Sequence, residues 1–131
     1  MEELYNLGIS DITLKCMVEM NPEILEMSKN EINEKQNILK RINCTNREIL
    51  NIISSNALML SRTNSGLTNL INYLEEIGFD NLNILFDSNP YILNLEPFEI
   101  ENYINSKKEE GMSLEDIVDT LDSEPYLFNE M

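Results

Sequence analysis

The sequence predicts an all-α solenoid of right-handed type, with three full units of about 34 residues and a partial unit at each end. Two observations carry that prediction. The stretches NPEILEM from Asn21, NALMLSR from Asn56, NPYILNL from Asn89 and EPYLFNE from Glu124 place Pro22, Ala57, Pro90 and Pro125 at one position, at spacings of 35, 33 and 35 residues. Apolar residues then recur in register around it. Four residues before stand Val18, Ile53, Phe86 and Leu121; two and three after stand Ile24 and Leu25, Met59 and Leu60, Ile92 and Leu93, Leu127 and Phe128. A unit this small cannot bury its own apolar face, and stacking on a neighbour solves that. No alternation of period two and no hairpin signal competes with the pattern.

Taken in order, Gly8 and Ile9 read as the tail of a preceding unit. Ser10, Thr45, Asp80 and Ser113 then stand where the N-cap of a first helix is wanted. Thr45 with Glu48 makes a capping box, and Ser113 with Asp116 a weaker version. Each first helix must stop before the joint, because the residue preceding a proline is steered out of the α region. At the joint, Asn21 and Asn89 can cap a short helix with Pro in its first turn, where no N–H is needed. Ala57 replaces Pro in the second unit, and there Asn56 is expected to hold the joint by capping alone. A longer second helix follows over roughly 29–42, 64–77 and 97–110, with apolar steps such as Leu67, Leu70, Ile71, Leu74 and Ile77. Asn43, Gly78 and Gly111 follow these helices, each before an apolar residue. The units are therefore 10–44, 45–79, 80–112 and a partial 113–131, within one domain covering 1–131.

Composition limits the chemistry. The chain of 131 residues, 42% hydrophobic, is long enough for one core and short for two. Nine Lys and Arg face 24 Asp and Glu, a net charge of −15 that keeps the chain soluble and repels polyanions at long range. There is no His to serve as an imidazole base, no phosphate-cradling glycine loop and no recognisable partner for a Ser or Cys nucleophile. The expectation is no enzyme, no cofactor and no metal. Asp116, Asp119, Asp122 and Glu124 form an acidic patch without EF-hand spacing and read as a charged outer face. Cys16 and Cys44 read as small buried hydrophobes in a reducing cytoplasm, although spacing does not decide whether they pair. The acidic start MEELYNLGISD is unlike a targeting segment, and no apolar run reaches bilayer length, so a cytoplasmic location and no membrane contact are expected.

The few cations are the candidate ligand contacts. Lys40, Arg41 and Arg47 gather with Lys35 around the first inter-unit junction, Arg62 lies one unit on, and Lys107 and Lys108 lie in the third. Near helix C-termini such residues answer the helix dipole. As a phosphate-tracking stripe they would be interrupted by Glu75, which holds the repeat position of Lys40 and Lys108. Tyr91 and Tyr126 share the position after the joint and are expected to pack between units.

The motif resembles the mitochondrial transcription termination factor (mTERF) repeat, in a short, bacterial-type form. Val18-x-x-x-Pro22-x-Ile24-Leu25, its counterparts from Ile53, Phe86 and Leu121, and the tail Ile77-Gly78-Phe79 carry the resemblance over nearly the whole chain. It implies a curved superhelix with a concave face, which in that family is basic and binds nucleic acid in gene regulation. This chain departs from the family in its scarcity of Lys and Arg. The expected function is therefore a non-enzymatic binding or scaffold module taking a protein partner. The alternative is a nucleic-acid-binding regulator of gene expression. A solenoid end also exposes an apolar face, which the acidic tail or a homodimer contact would cover.

Overall fold

The computed structural model describes residues 2–131. Helix α1 (Glu2–Asn6) precedes α2 (Asp11–Met20), a 3₁₀ turn (Pro22–Glu26) and α3 (Lys29–Arg41). The pattern repeats as α4 (Asn46–Ser55), Ala57–Ser61 and α5 (Asn64–Ile77), then as α6 (Leu82–Ser88), Pro90–Asn94 and α7 (Pro97–Glu109). Helix α8 (Leu114–Ser123) and the turn Pro125–Glu130 follow. Among the described residues there is no strand.

Helices α1, α3, α5 and α7 are each followed by a left-handed residue. Gly8, Asn43, Gly78 and Gly111 take positive φ values of 98°, 70°, 118° and 97°. After each, the next N–H turns back to a carbonyl five residues earlier: Ile9 to Leu4 at 3.2 Å, Cys44 to Leu39 at 3.1 Å, Phe79 to Leu74 at 3.0 Å and Met112 to Lys107 at 3.1 Å. This closure satisfies terminal carbonyls and requires a left-handed residue, which glycine and, less readily, asparagine provide.

Three of the four predicted first-helix caps form. The Ser10, Thr45 and Ser113 hydroxyls accept the N–H groups of Thr13, Glu48 and Asp116, and Glu48 returns the bond to the Thr45 N–H at 2.8 Å. Asp80 does not cap: α6 opens after Asn81, which makes no side-chain capping bond. The cause is a deletion. Fourteen residues separate Gly8 from Pro22, Asn43 from Ala57 and Gly111 from Pro125, but twelve separate Gly78 from Pro90. The missing two come from the start of α6, which moves the cap position onto the left-handed Gly78.

At the joints Asn21 and Asn89 accept the N–H groups of Glu23 and Tyr91, as their sequence requires. Asn56 behaves differently. It makes no capping bond, and Ala57, Met59 and Leu60 hold the turn by being wholly buried. Fully burying side chains of the Leu or Met size stabilises by about 1.5–3 kcal/mol each, more than the roughly 1 kcal/mol of a cap.

Stacking arranges the elements in three parallel stripes. First helices α2, α4 and α6 contact in sequence, the 3₁₀ turns contact one another, and so do the long helices α3, α5 and α7, with the short α1 against α3. Met17, Ile52, Ile53, Phe86 and Leu121 fill the interior between them. Leu25 departs from its register: it is 65% exposed while Leu60, Leu93 and Phe128 are fully buried. Those three sit on turns that stack against an earlier turn, and no earlier turn faces Pro22–Glu26 in the described chain. Phe128 meets Phe79, the last residue of the 45–79 unit, ring centroids 6.1 Å apart.

Candidate functional site

The joint asparagines bind the units to each other. From a buried position, the Asn21 Nδ2 donates to the Ala57 carbonyl at 3.0 Å and to the Ser61 Oγ at 2.7 Å. One unit on, the Asn56 Nδ2 donates to the Pro90 carbonyl at 2.8 Å and the Asn94 Oδ1 at 3.0 Å. The Asn89 Nδ2 repeats this with the Pro125 carbonyl at 2.9 Å and the Asn129 Oδ1 at 3.0 Å. Each rung satisfies a buried amide, which would be costly to leave unpaired.

A second set of polar contacts crosses the same interfaces. Asn51 donates to the Asp87 carbonyl and carboxylate at 3.0 and 2.8 Å, and Asn83 donates to Glu48 at 3.3 Å. The Thr45 backbone N–H above all, helped by Asn83, the Thr45 side chain and the Arg47 charge, holds the Glu48 carboxyl below the usual carboxylate range against the opposing effect of burial. The buried Lys35 Nζ donates to the Asn64 Oδ1 at 2.7 Å, while the Asn64 Nδ2 donates to the Glu34 Oε2 at 2.5 Å. Burial lowers the Lys35 pKa, opposed by the Glu34 and Glu31 charges.

The six candidate cations divide into two groups. Arg62 has a side chain only 13% exposed. Its Nη1 donates to the Leu93 and Leu95 carbonyls, both at 2.8 Å, and its Nη2 pairs with the Glu96 Oε1 at 2.6 Å, so the guanidinium clasps the next unit. Lys107 pairs with Glu110 at 3.3 Å, which raises its pKa, and lies 5.4 Å from the Tyr103 ring centre. Arg47 is largely exposed, 3.5 Å from Asp87. Lys40, Arg41 and Lys108 are exposed in the last turns of α3 and α7, at the negative ends of the helix dipoles. Lys40 borders a polar notch of about 240 Å³ with Glu3, Asn6, Lys29, Gln36 and Asn46. Arg41 borders a cleft of about 170 Å³ between α3 and α5 with Thr68, Asn72 and Glu75. Lys40 and Arg41 thus open onto different clefts, Arg47 and Arg62 lie on different parts of one unit, and Lys107 and Lys108 adjoin in α7, so the six are spread along the stack.

Three further expectations are corrected or completed. Tyr91 and Tyr126 are exposed, because their position faces outward from the 3₁₀ stripe. Cys44 is buried with a thiol pushed up to about 12, chiefly by burial, but Cys16 is exposed on the outer side of α2. Both thiols are free. Asp116, Asp119, Asp122 and Glu124 are exposed, and among the described residues no group of His, Cys, Asp or Glu is arranged to hold a metal ion. No helix among them is long and apolar enough to cross a membrane.

Sequence reasoning missed the inter-unit role of Asn21, Asn56 and Asn89, taking them only as caps. Their signal was present, since three asparagines at one repeat position exceed what capping needs. No curated protein and no solved structure matches the chain. The sequence model of the mTERF family matches residues 1–120. With the repeated helix, 3₁₀ turn and long helix in place, and with that match spanning most of its length, the chain belongs to the mTERF family.

Proposed function

We propose that the chain, taken as one domain over residues 1–131, is a non-catalytic helical-repeat binding module whose partner is a protein. One observation carries the reading: the cations placed between units serve the fold, and a net charge of −15 surrounds those that remain. A phosphate track needs paired cations on a continuous face, since counterion release supplies most non-specific affinity for nucleic acid. Here Glu75 and Glu76 stand in α5 where Lys40 and Arg41 stand in α3. A stack of helical units gives a partner an extended surface, and the acidic field favours a basic one.

The second reading is a nucleic-acid-binding regulator. Membership of the mTERF family supports it, as do the exposed Lys40 beside the notch lined by Lys29 and the exposed Arg41 on the cleft toward α5. Titration of the purified protein with double-stranded DNA, single-stranded RNA and heparin at low salt separates the two. The protein-partner reading expects no salt-sensitive sub-micromolar binding. Such binding, lost on Arg41→Glu, would overturn it in favour of the second.

A further inference from the structure

Many asparagines of this chain are consumed by the fold, but three that are not share one repeat position. Asn37, Asn72 and Asn105 each stand fifteen residues after a joint, at 22, 57 and 90. All three are exposed on α3, α5 and α7, and among the described residues none has a hydrogen-bond partner. One helical turn earlier, Asn69 and Asn102 repeat the feature on α5 and α7. Because the long helices stack on one another, these amides form a row across the stack. Asn69 and Asn72 line an open cleft of about 740 Å³ that reaches Pro97 at the start of α7, and Asn72 also borders the cleft toward Arg41.

Helix formation does not explain the choice. Asparagine is a poor helix former, and Lys, Glu or Gln would serve better at a solvent-facing position. A primary amide offers a donor and an acceptor on one short side chain, the complement of a peptide group. Packed helices lie roughly 8–10 Å apart. A polyproline-II chain rises about 3.1 Å per residue with three residues per turn, so it presents the same backbone face about every 9 Å. Its peptide groups make no bonds among themselves and are free for an external amide.

We propose that the row Asn37–Asn72–Asn105 is a docking track for an extended, basic polyproline-II segment of a partner protein, laid across α3, α5 and α7. Glu75 and Glu76 beside Asn72, and Glu101 beside Asn105, flank the row as exposed carboxylates that suit Lys or Arg between the prolines, while at Asn37 the Glu34 carboxylate accepts from Asn64 and Lys40 and Arg41 stand alongside. A single-stranded nucleic acid would bring its phosphates against the same carboxylates, with Lys40, Arg41 and Lys108 as the nearby cations. The inference rests on the reading that the partner is a protein and names the form of that partner.

The test is fluorescence anisotropy with three labelled probes: a peptide of repeated Pro-Pro-Lys, one of repeated Gly-Ser-Lys, and oligouridine. The expected result is preference for the Pro-Pro-Lys peptide, and its weakening by about tenfold or more in the triple variant Asn37→Ala, Asn72→Ala, Asn105→Ala. That variant should keep the wild-type circular dichroism and melt at the same or a higher temperature, because the three amides bond to nothing in the fold and Ala is the better helix former. Failure of the Pro-Pro-Lys peptide to bind, or equal binding to the variant, would overturn the track. Peptide binding that survives in the variant would leave the protein-partner reading standing with this row excluded. Oligouridine binding without peptide binding, lost in the variant, would remove both.

Discussion

The side-chain amide of Asn56 reaches the backbone carbonyl of Pro90 at 2.8 Å, thirty-four residues away and one unit on. The same Nδ2 also donates to Asn94, so this single group closes two contacts across the interface. Both lie where water has little access, since Asn56 is buried. Asn56→Ala is expected to destabilise the fold by about 2–3 kcal/mol, because it leaves a carbonyl without its donor and opens a small void. Asn56→Asp keeps the volume but places a carboxylate against two acceptors, and should cost at least as much. Urea denaturation followed by circular dichroism measures both.

Arg62 joins two carbonyls and a carboxylate with one planar fork, a geometry that a lysine ammonium does not reproduce. Arg62→Lys should lower stability by about 1–2 kcal/mol through the lost charge-assisted bonds. A double-mutant cycle with Glu96→Gln apportions the effect. If Arg62→Lys were neutral, the clasp would be ornamental.

Cys44 and Cys16 should differ sharply toward thiol reagents. The Cys44 thiol is buried and pushed up to about 12, so little thiolate exists near pH 8, whereas Cys16 is exposed. The native protein should react rapidly at Cys16, with Cys44 becoming reactive in denaturant. Labelling with iodoacetamide followed by mass spectrometry of the peptides reads this directly.

The pH dependence of stability should have an acid limb from Glu48. Its carboxyl is held low in the fold by the Thr45 N–H, with help from Asn83. Between the folded and unfolded pKa values the unfolded chain binds the proton more readily, so stability falls as the pH drops. The contribution is full above the ordinary carboxylate value of about 4.3 and is lost as the pH falls through the lower folded value. Glu48→Gln, which can still complete a capping box, should flatten stability against pH below about pH 5. Thermal melts across a pH series would show an unchanged slope if Glu48 had no such role.

What the sequence made legible was the part written in local rules. Positive φ at Gly8, Asn43, Gly78 and Gly111 follows from which residues tolerate it, and the Pro joints follow from a steric clash with the preceding residue. Asp80 was misplaced because the two-residue loss before Pro90 changes phase inside a helix that still looks periodic. Arg62 and the joint asparagines were harder for a different reason. Their partners lie thirty or more residues away, and only the stacking distance decides which carbonyls they meet. The outward side of Tyr91 recurs in every unit, where Glu23, Leu58 and Tyr126 are exposed at the same position, whereas the exposure of Leu25 is set by the missing earlier turn, of which local apolar register carries no record.

The rungs formed by Asn21, Asn56 and Asn89 all point the same way, from a donor in one unit to an acceptor four residues past the next joint, at Ser61, Asn94 and Asn129. That directionality makes the stack polar, each unit donating toward the next and accepting from the one before it. Glu26 holds the acceptor position of the first described joint and Glu124 the donor position of the last, both exposed. Two such carboxylates share no N–H and repel, so a rung needs the amide on its donor side.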